Sequence, residues 1–333
     1  MLDQTVTSGA AAPEPETGTG SRGPRARGAG PSRRGRQVRR REGLAGGLFL
    51  GPWLLGLLLL TLGPMLASLY LSFTDYNLFT APEWVGLDNY RRMFDDERYL
   101  TSVRVTMGFV VLATPLKLAL ALGVAMLLAR PRRTQGFYRS AFYAPSLIGA
   151  SVSIAITWRA LFSDDALLDR ALQWLGLPAG GWVGDPSRAL IVLVLLSVWQ
   201  FGAPMVIFMA GLQQVPQELY EAAEVDGAGW WRKFAHITLP MLSPVIFFNL
   251  LLETIHAFQV FTSAFVVSSP NPGSPADATL VYTLYLYLRG FADFRMGYAS
   301  AMAWTLLVAI ALVTLLLFRT SRFWVHYADG GDR

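Results

Sequence analysis

Residues 221–244 read Glu-Ala-Ala-Glu-Val-Asp-Gly-Ala-Gly-Trp-Trp-Arg-Lys-Phe-Ala-His-Ile-Thr-Leu-Pro-Met-Leu-Ser-Pro. The stretch opens polar and helix-forming and closes at Leu239-Pro240, where a long apolar segment starts. Another long apolar segment ends shortly before it, near residue 213. A short polar helix strung between two membrane-length segments sets the fold class. The chain reads as an all-α membrane protein, and this stretch is one of its connections.

Composition agrees. Of 333 residues, 53% are hydrophobic and 15% charged, with a mean hydropathy of +0.38, whereas a soluble globular chain carries roughly 25% charged residues. The absence of cysteine excludes disulfides and thiol-based metal or nucleophile chemistry. Three scattered histidines do not suggest a metal site. No Gly-x-x-x-x-Gly-Lys-Ser/Thr phosphate loop occurs, so ATP, if it drives this protein, must sit on another chain. No cofactor is expected here, and no catalytic constellation is present.

Six apolar segments, at about 44–73, 103–129, 138–162, 188–213, 239–268 and 297–319, each exceed the roughly 20 residues that span a bilayer as a helix. They lack the alternation of barrel strands. The expectation is six transmembrane helices, with residues 1–43 and 326–333 as flanking tails.

Arginine sets the orientation. Nine arginines fall between Arg22 and Arg41 without an acid, Arg130, Arg132, Arg133 and Arg139 form a basic connection, and Arg319 and Arg322 close the chain. With six spans all three lie on one side, which the positive-inside rule makes the cytoplasm. Residues 1–43, rich in Gly, Pro, Ser and Arg, read as a disordered tail that sets topology. A tether for anionic lipid or nucleic acid is the sharper alternative; nucleic acid is not expected as a partner.

The same topology places 214–238 in the cytoplasm, where Glu218, Glu221, Glu224 and Asp226 face only Arg232 and Lys233. Pro216 suits the first position of a helix, and Leu219, Ala222 and Ala223 share a face. Gly227 and Gly229 offer a stop. A second short amphipathic stretch would carry Trp230, Trp231 and Phe234. An acidic helix on a basic face predicts a basic partner surface; lying on lipid headgroups is the alternative.

The order Glu221-Ala222-Ala223, then Asp226-Gly227-Ala228, then Ile237, Leu239 and Pro240 resembles the coupling loop of the permease subunits of binding-protein-dependent ABC importers. Residues 44–325 are similar to the carbohydrate (maltose and glycerol-phosphate) branch. The stretches Gly297–Trp304 and Phe318–Tyr327 resemble it too. The resemblance implies an importer-permease fold and a second homologous permease as heterodimer partner. It further implies a cytoplasmic ATPase dimer holding ATP and Mg, and an extracellular solute-binding protein. Glu221, Ala222, Ala223, Asp226, Gly227, Ile237, Leu239 and Pro240 would then couple to the ATPase.

In the fifth segment, Asn249, Glu253 and His256 share a helix face, with Gln259 three residues on. Ionisable groups inside a membrane face a cavity or a partner. Amides and carboxylates suit a hydroxylated solute, and Phe258 and Phe261 offer apolar faces to a sugar. Contact with the partner permease is the alternative. In maltose-importer relatives this span contributes to the sugar site. Lys117, in the second segment, either snorkels, pairs with Glu253 or meets an anionic solute. Tyr282, Tyr285, Tyr287, Phe291 and Phe294 read as an interfacial aromatic belt. Pro52, Pro64, Pro115, Pro145 and Pro204 lie within spans. The expected cargo is a sugar or oligosaccharide, with a glycerol-phosphate ester or other polar solute as alternative. A proton-coupled secondary transporter using Glu253, His256 and Lys117 is the other class, though the internal repeat it calls for is not seen.

Overall fold

The computed structural model describes residues 49–129, 135–149, 151–163, 166–176 and 180–326. The tail 1–43, the arginines Arg130, Arg132 and Arg133, and residues 327–333 lie outside the described residues. The chain divides into two compact units, Met1–Gly63 and Pro64–Arg333. In the first, residues 49–63 are helical, with Leu58, Leu59 and Leu60 exposed. All the packing below belongs to the second.

The helices are α1 (Phe49–Ser72), α2 (Asp88–Asp95), α3 (Glu97–Leu128), α4 (Gln135–Ile148), α5 (Val152–Leu161), α6 (Leu167–Trp174), α7 (Pro186–Trp199) and α8 (Gly202–Leu212). They continue with α9 (Gln217–Val225), α10 (Trp230–Phe258), α11 (Thr262–Val267), α12 (Tyr282–Tyr287) and α13 (Met296–Ser321). One two-residue antiparallel pair, β1 (Thr74–Asp75) with β2 (Glu83–Trp84), follows α1. Among the described residues, four helices, α1, α3, α10 and α13, are long and apolar enough to cross a membrane alone, or up to six spans if the bent pairs α4–α5 and α7–α8 each count as one.

The six-helix expectation therefore holds with three corrections. The third and fourth segments are broken helices, the fourth bent by 44°. The fifth starts at Trp230, so the stretch with Trp230, Trp231 and Phe234 is the first turn of the span instead of a separate helix. That span also stops at Phe258, and residues 262–267 form α11.

The two breaks interlock. Pro204 has no N–H for the carbonyl of Gln200, four residues back. The Ser146 hydroxyl of α4 donates to that carbonyl at 3.0 Å, and the same oxygen accepts from Ala203 N at 3.0 Å. Backbone groups at membrane depth need such partners because lipid offers none. A Cβ on Gly202 would lie 2.4 Å from Phe142 O, so α4 and α8 meet backbone to backbone.

Helix α3 is the hub and packs on α7, α8, α10 and α12. One apolar cluster joins Phe109, Leu193, Tyr285 and Met302; a second joins Leu118, Phe208, Met209 and Leu242. Asp96 caps α3 by accepting from Arg98 N and Tyr99 N. It also accepts from the Tyr285 and Tyr298 hydroxyls and pairs with Arg289 at 3.1 Å. Burial pushes its acidity down, but these hydrogen bonds and the guanidinium prevail and hold the carboxyl below its ordinary value. Tyr282 and Tyr285 are thus buried, the former donating to Met302 O at 2.8 Å. The aromatic-belt expectation fails for these two because their hydroxyls find partners inside the bundle.

Gly297 explains part of the Gly297–Trp304 pattern. A Cβ there would sit 2.0 Å from Thr74 O, and Gly297 N donates to Tyr76 O at 3.0 Å. Gly297→Ala is expected to cost about 3 kcal/mol by forcing β1 off α13. A thermal melt in detergent checks this; an unchanged midpoint refutes the close approach.

Candidate functional site

Helix α9 and the start of α10 carry the sequence motif. Pro216 immediately precedes α9, one position earlier than expected. Glu218, Glu221 and Ala222 are exposed, and Ala223 is half-buried. The Asp226-Gly227-Ala228 element is a helix stop. Gly227 takes φ +71°, a left-handed conformation that glycine adopts without a Cβ penalty. Its N–H donates to Glu224 O at 3.0 Å, and Ala228 N donates to Ala223 O at 2.8 Å, the paired bonds of a Schellman end. Helix α10 follows at once, and Lys233 pairs with Glu224 at 2.9 Å, clipping α10 back to α9.

The Ile237-x-Leu239-Pro240 element lies where α10 widens. Residues Phe234–Thr238 form a π-helical turn, in which Leu239 N reaches Phe234 O, five residues back. Ile237 and Tyr220 pack on the cluster of Phe208, Met209 and Leu242. The segment after α13 reaches the same place: His326 N donates to Ser243 Oγ at 2.9 Å. Trp230 stacks on Phe234 with centroids 5.7 Å apart, and Trp231 is exposed.

Further along α10, a cavity of about 310 Å³ opens among α3, α7, α10 and α11. Its walls include Lys117, Ser197, Gln200, Glu253, His256 and Phe261. Lys117 Nζ lies 2.7 Å from Glu253 Oε2, with side chains 12% and 11% exposed. The pairing option for Lys117 is the geometry observed, since an ammonium at that depth needs a counter-charge.

Lys117, Glu253 and His256 thus converge; Asn249, Phe258 and Gln259 are not among the cavity's walls. Asn249 is 1% exposed, and its Nδ2 has no hydrogen-bond partner among the described residues. Phe258 is buried in the core and borders a separate crevice with Tyr99 and Tyr282. Gln259 is exposed at the end of α10, its N–H turned to His256 O at 3.1 Å. Helical spacing no longer governs it, because the helix has ended. Ser197, in the last turn of α7, and Gln200, at the break before Pro204, also line the cavity, though no motif or spacing in the sequence marks them.

Residues 117–327 match the family described as binding-protein-dependent transport system inner membrane component. The chain is 49% identical to the probable ABC transporter permease protein YesP of Bacillus subtilis (strain 168), covering 90% of this chain and 97% of that protein. It is 32% identical to the arabinooligosaccharides transport system permease protein AraP of the same strain, covering 82% and 87%. A solved bacterial ABC transporter involved in the import of the acidic polysaccharide alginate shares the fold, with a TM-score of 0.72 at 22% identity over 87% of this chain and 98% of that one. The apolar spans, the Schellman-stopped helix before the fifth span and these matches lead to one assignment: this multi-pass membrane protein belongs to the binding-protein-dependent transport system inner membrane component family, as a permease subunit of an ABC importer.

Proposed function

We propose that this permease carries a neutral sugar or oligosaccharide through the cavity beside Lys117 and Glu253. The observation that carries the reading is the 2.7 Å Lys117–Glu253 pair: with the ammonium neutralised, the walls offer hydroxyl, amide and imidazole groups beside Phe261. Such groups suit polyols, whereas a phosphate ester asks for an unspent cation. Relatives named for arabinooligosaccharides and for starch degradation products support the same cargo. A relative named for sn-glycerol-3-phosphate keeps the ester as the competing reading.

The partners follow the same reading. A second, homologous permease completes the pathway, an external binding protein delivers solute, and a cytoplasmic ATPase dimer binds ATP and Mg. This chain binds no cofactor and catalyses no reaction. Residues 1–43 and both termini are cytoplasmic, 44–325 form the permease domain, and 214–238 meet the ATPase through Glu221, Ala222, Ala223, Asp226 and Gly227, with Ile237, Leu239 and Pro240 joining that contact to the fifth span.

Vesicles carrying all subunits test the cargo. ATP-dependent uptake of maltotriose or arabinotriose is expected, undiminished by excess sn-glycerol 3-phosphate. Uptake of the phosphate ester, with no uptake of either sugar, reverses the assignment. Uptake that persists without ATP and vanishes when the proton gradient is collapsed would reinstate the secondary-transporter reading.

A further inference from the structure

The mechanical question left by the coupling segment is what transmits movement of α9 to the fifth span. Among the described residues, two side-chain hydrogen bonds join α9 to α10, beside the packing of the Tyr220 ring on the cluster that includes Leu242. One, Glu224 to Lys233, has its carboxylate 75% exposed, and surface pairs of this kind are weak. The other is inside. The Tyr220 and Thr238 hydroxyls lie 3.0 Å apart, and Thr238 is 6% exposed. Thr238 also donates to Lys233 O at 3.4 Å, which leaves Tyr220 as the donor within the pair.

Tyr220 sits one residue before Glu221, and its ring packs against the cluster of Phe208, Met209 and Leu242. Thr238 ends the π-helical turn, the point from which α10 runs on toward Glu253 and the cavity. π-Helical turns inside α-helices recur at functional positions.

We propose that Tyr220 and Thr238 are positioning residues forming a pin: their hydrogen bond makes α9 and the fifth span move as one body. The proposal rests on the reading of α9 as the ATPase-docking helix and of the cavity as the alternating-access pathway. The exposed clip and the Gly227 turn hold α9 in place without transmitting its tilt, so loss of the pin leaves docking and ATP hydrolysis intact while the cavity stops responding.

Because the native chain has no cysteine, Ser263→Cys on the cavity wall gives this subunit a single thiol. The assembled importer, in lipid nanodiscs, is labelled with a water-soluble maleimide with and without ATP plus vanadate, and labelling is followed on this subunit. In the otherwise native chain, ATP with vanadate is expected to change the labelling rate. With Thr238→Val or Tyr220→Phe added, that response is expected to fall about fivefold, the scale of one lost hydrogen bond. Co-purification of the ATPase and its hydrolysis rate should stay the same. Thr238→Ser, which keeps the hydroxyl, should restore the response, and the Tyr220→Phe/Thr238→Val pair should lose no more than either alone.

An unchanged response in the single variants overturns the pin, as does loss of the ATPase from the complex, which would mark a docking role. No ATP response in Ser263→Cys alone overturns the alternating-access reading of the cavity, and the pin with it.

Discussion

Glu221→Lys is expected to abolish ATP-dependent uptake, by at least about 100-fold, while the chain still inserts and pairs with its partner permease. Glu221 is exposed on α9 and has no ion pair among the described residues, so its reversal disturbs no internal contact. Its effect must come from outside the chain. Together with Glu218, Glu224 and Asp226 it makes the first half of the segment acidic, and in the proposed docking this face meets a basic groove on the ATPase. Placing a lysine against such a groove costs several kcal/mol, and each 1.4 kcal/mol is tenfold in affinity. Affinity purification of the complex followed by uptake in vesicles reads both effects. Retention of the ATPase with normal uptake would remove α9 from the coupling role and favour a helix lying on lipid headgroups.

The second large effect concerns Lys117 and Glu253. Removing one partner of a buried pair costs 3–5 kcal/mol, because the other charge is left uncompensated. The side chains here are 12% and 11% exposed and border a cavity, so about 3 kcal/mol is expected for Glu253→Ala or Lys117→Ala. Lys117→Met/Glu253→Met replaces both charges with apolar groups of similar length and is expected to recover most of the stability. It should not recover uptake, because the cavity then loses two polar groups that a hydroxylated solute needs. Melting in detergent and uptake in vesicles separate the roles. Recovery of both stability and uptake in the double variant would make the pair purely structural. Single variants as stable as the parent would mean that the charges are solvated.

Much of the fold was legible in the sequence because lipid leaves few options. A segment of about 20 apolar residues crosses as a helix, so six spans followed from hydropathy, and the coupling motif followed from residue order. Even the stop at Gly227 was readable, since a left-handed residue after a short helix favours glycine. The places where the reading failed share one cause. The break at 200–201 is met by Ser146, which reaches a carbonyl that Pro204 leaves free, and those residues are distant in sequence. Tyr282 and Tyr285 carry polar tips that suit an interface; Asp96 and Met302, remote along the chain, draw them inside.

The candidate site divides the same way. Period-3.6 spacing placed Glu253 and His256 together, since both lie within one helix. It did not bring Asn249, buried one turn earlier, or Gln259, where the helix had ended, to the cavity wall; Phe258, expected to offer an apolar face, borders a separate crevice instead. For Lys117, pairing with Glu253 was one of three readings, and only the packing of α3 on α10 selected it, because 136 residues separate the two. The sequence by itself determined the family, the apolar spans and the short polar helix α9 with its glycine stop, all properties of local order and solvent. The tertiary structure alone decided which polar groups meet across the bundle: Lys117 with Glu253, Ser146 with Gln200, Tyr220 with Thr238. A buried polar group must find a partner, but which partner it finds is set by how the helices pack.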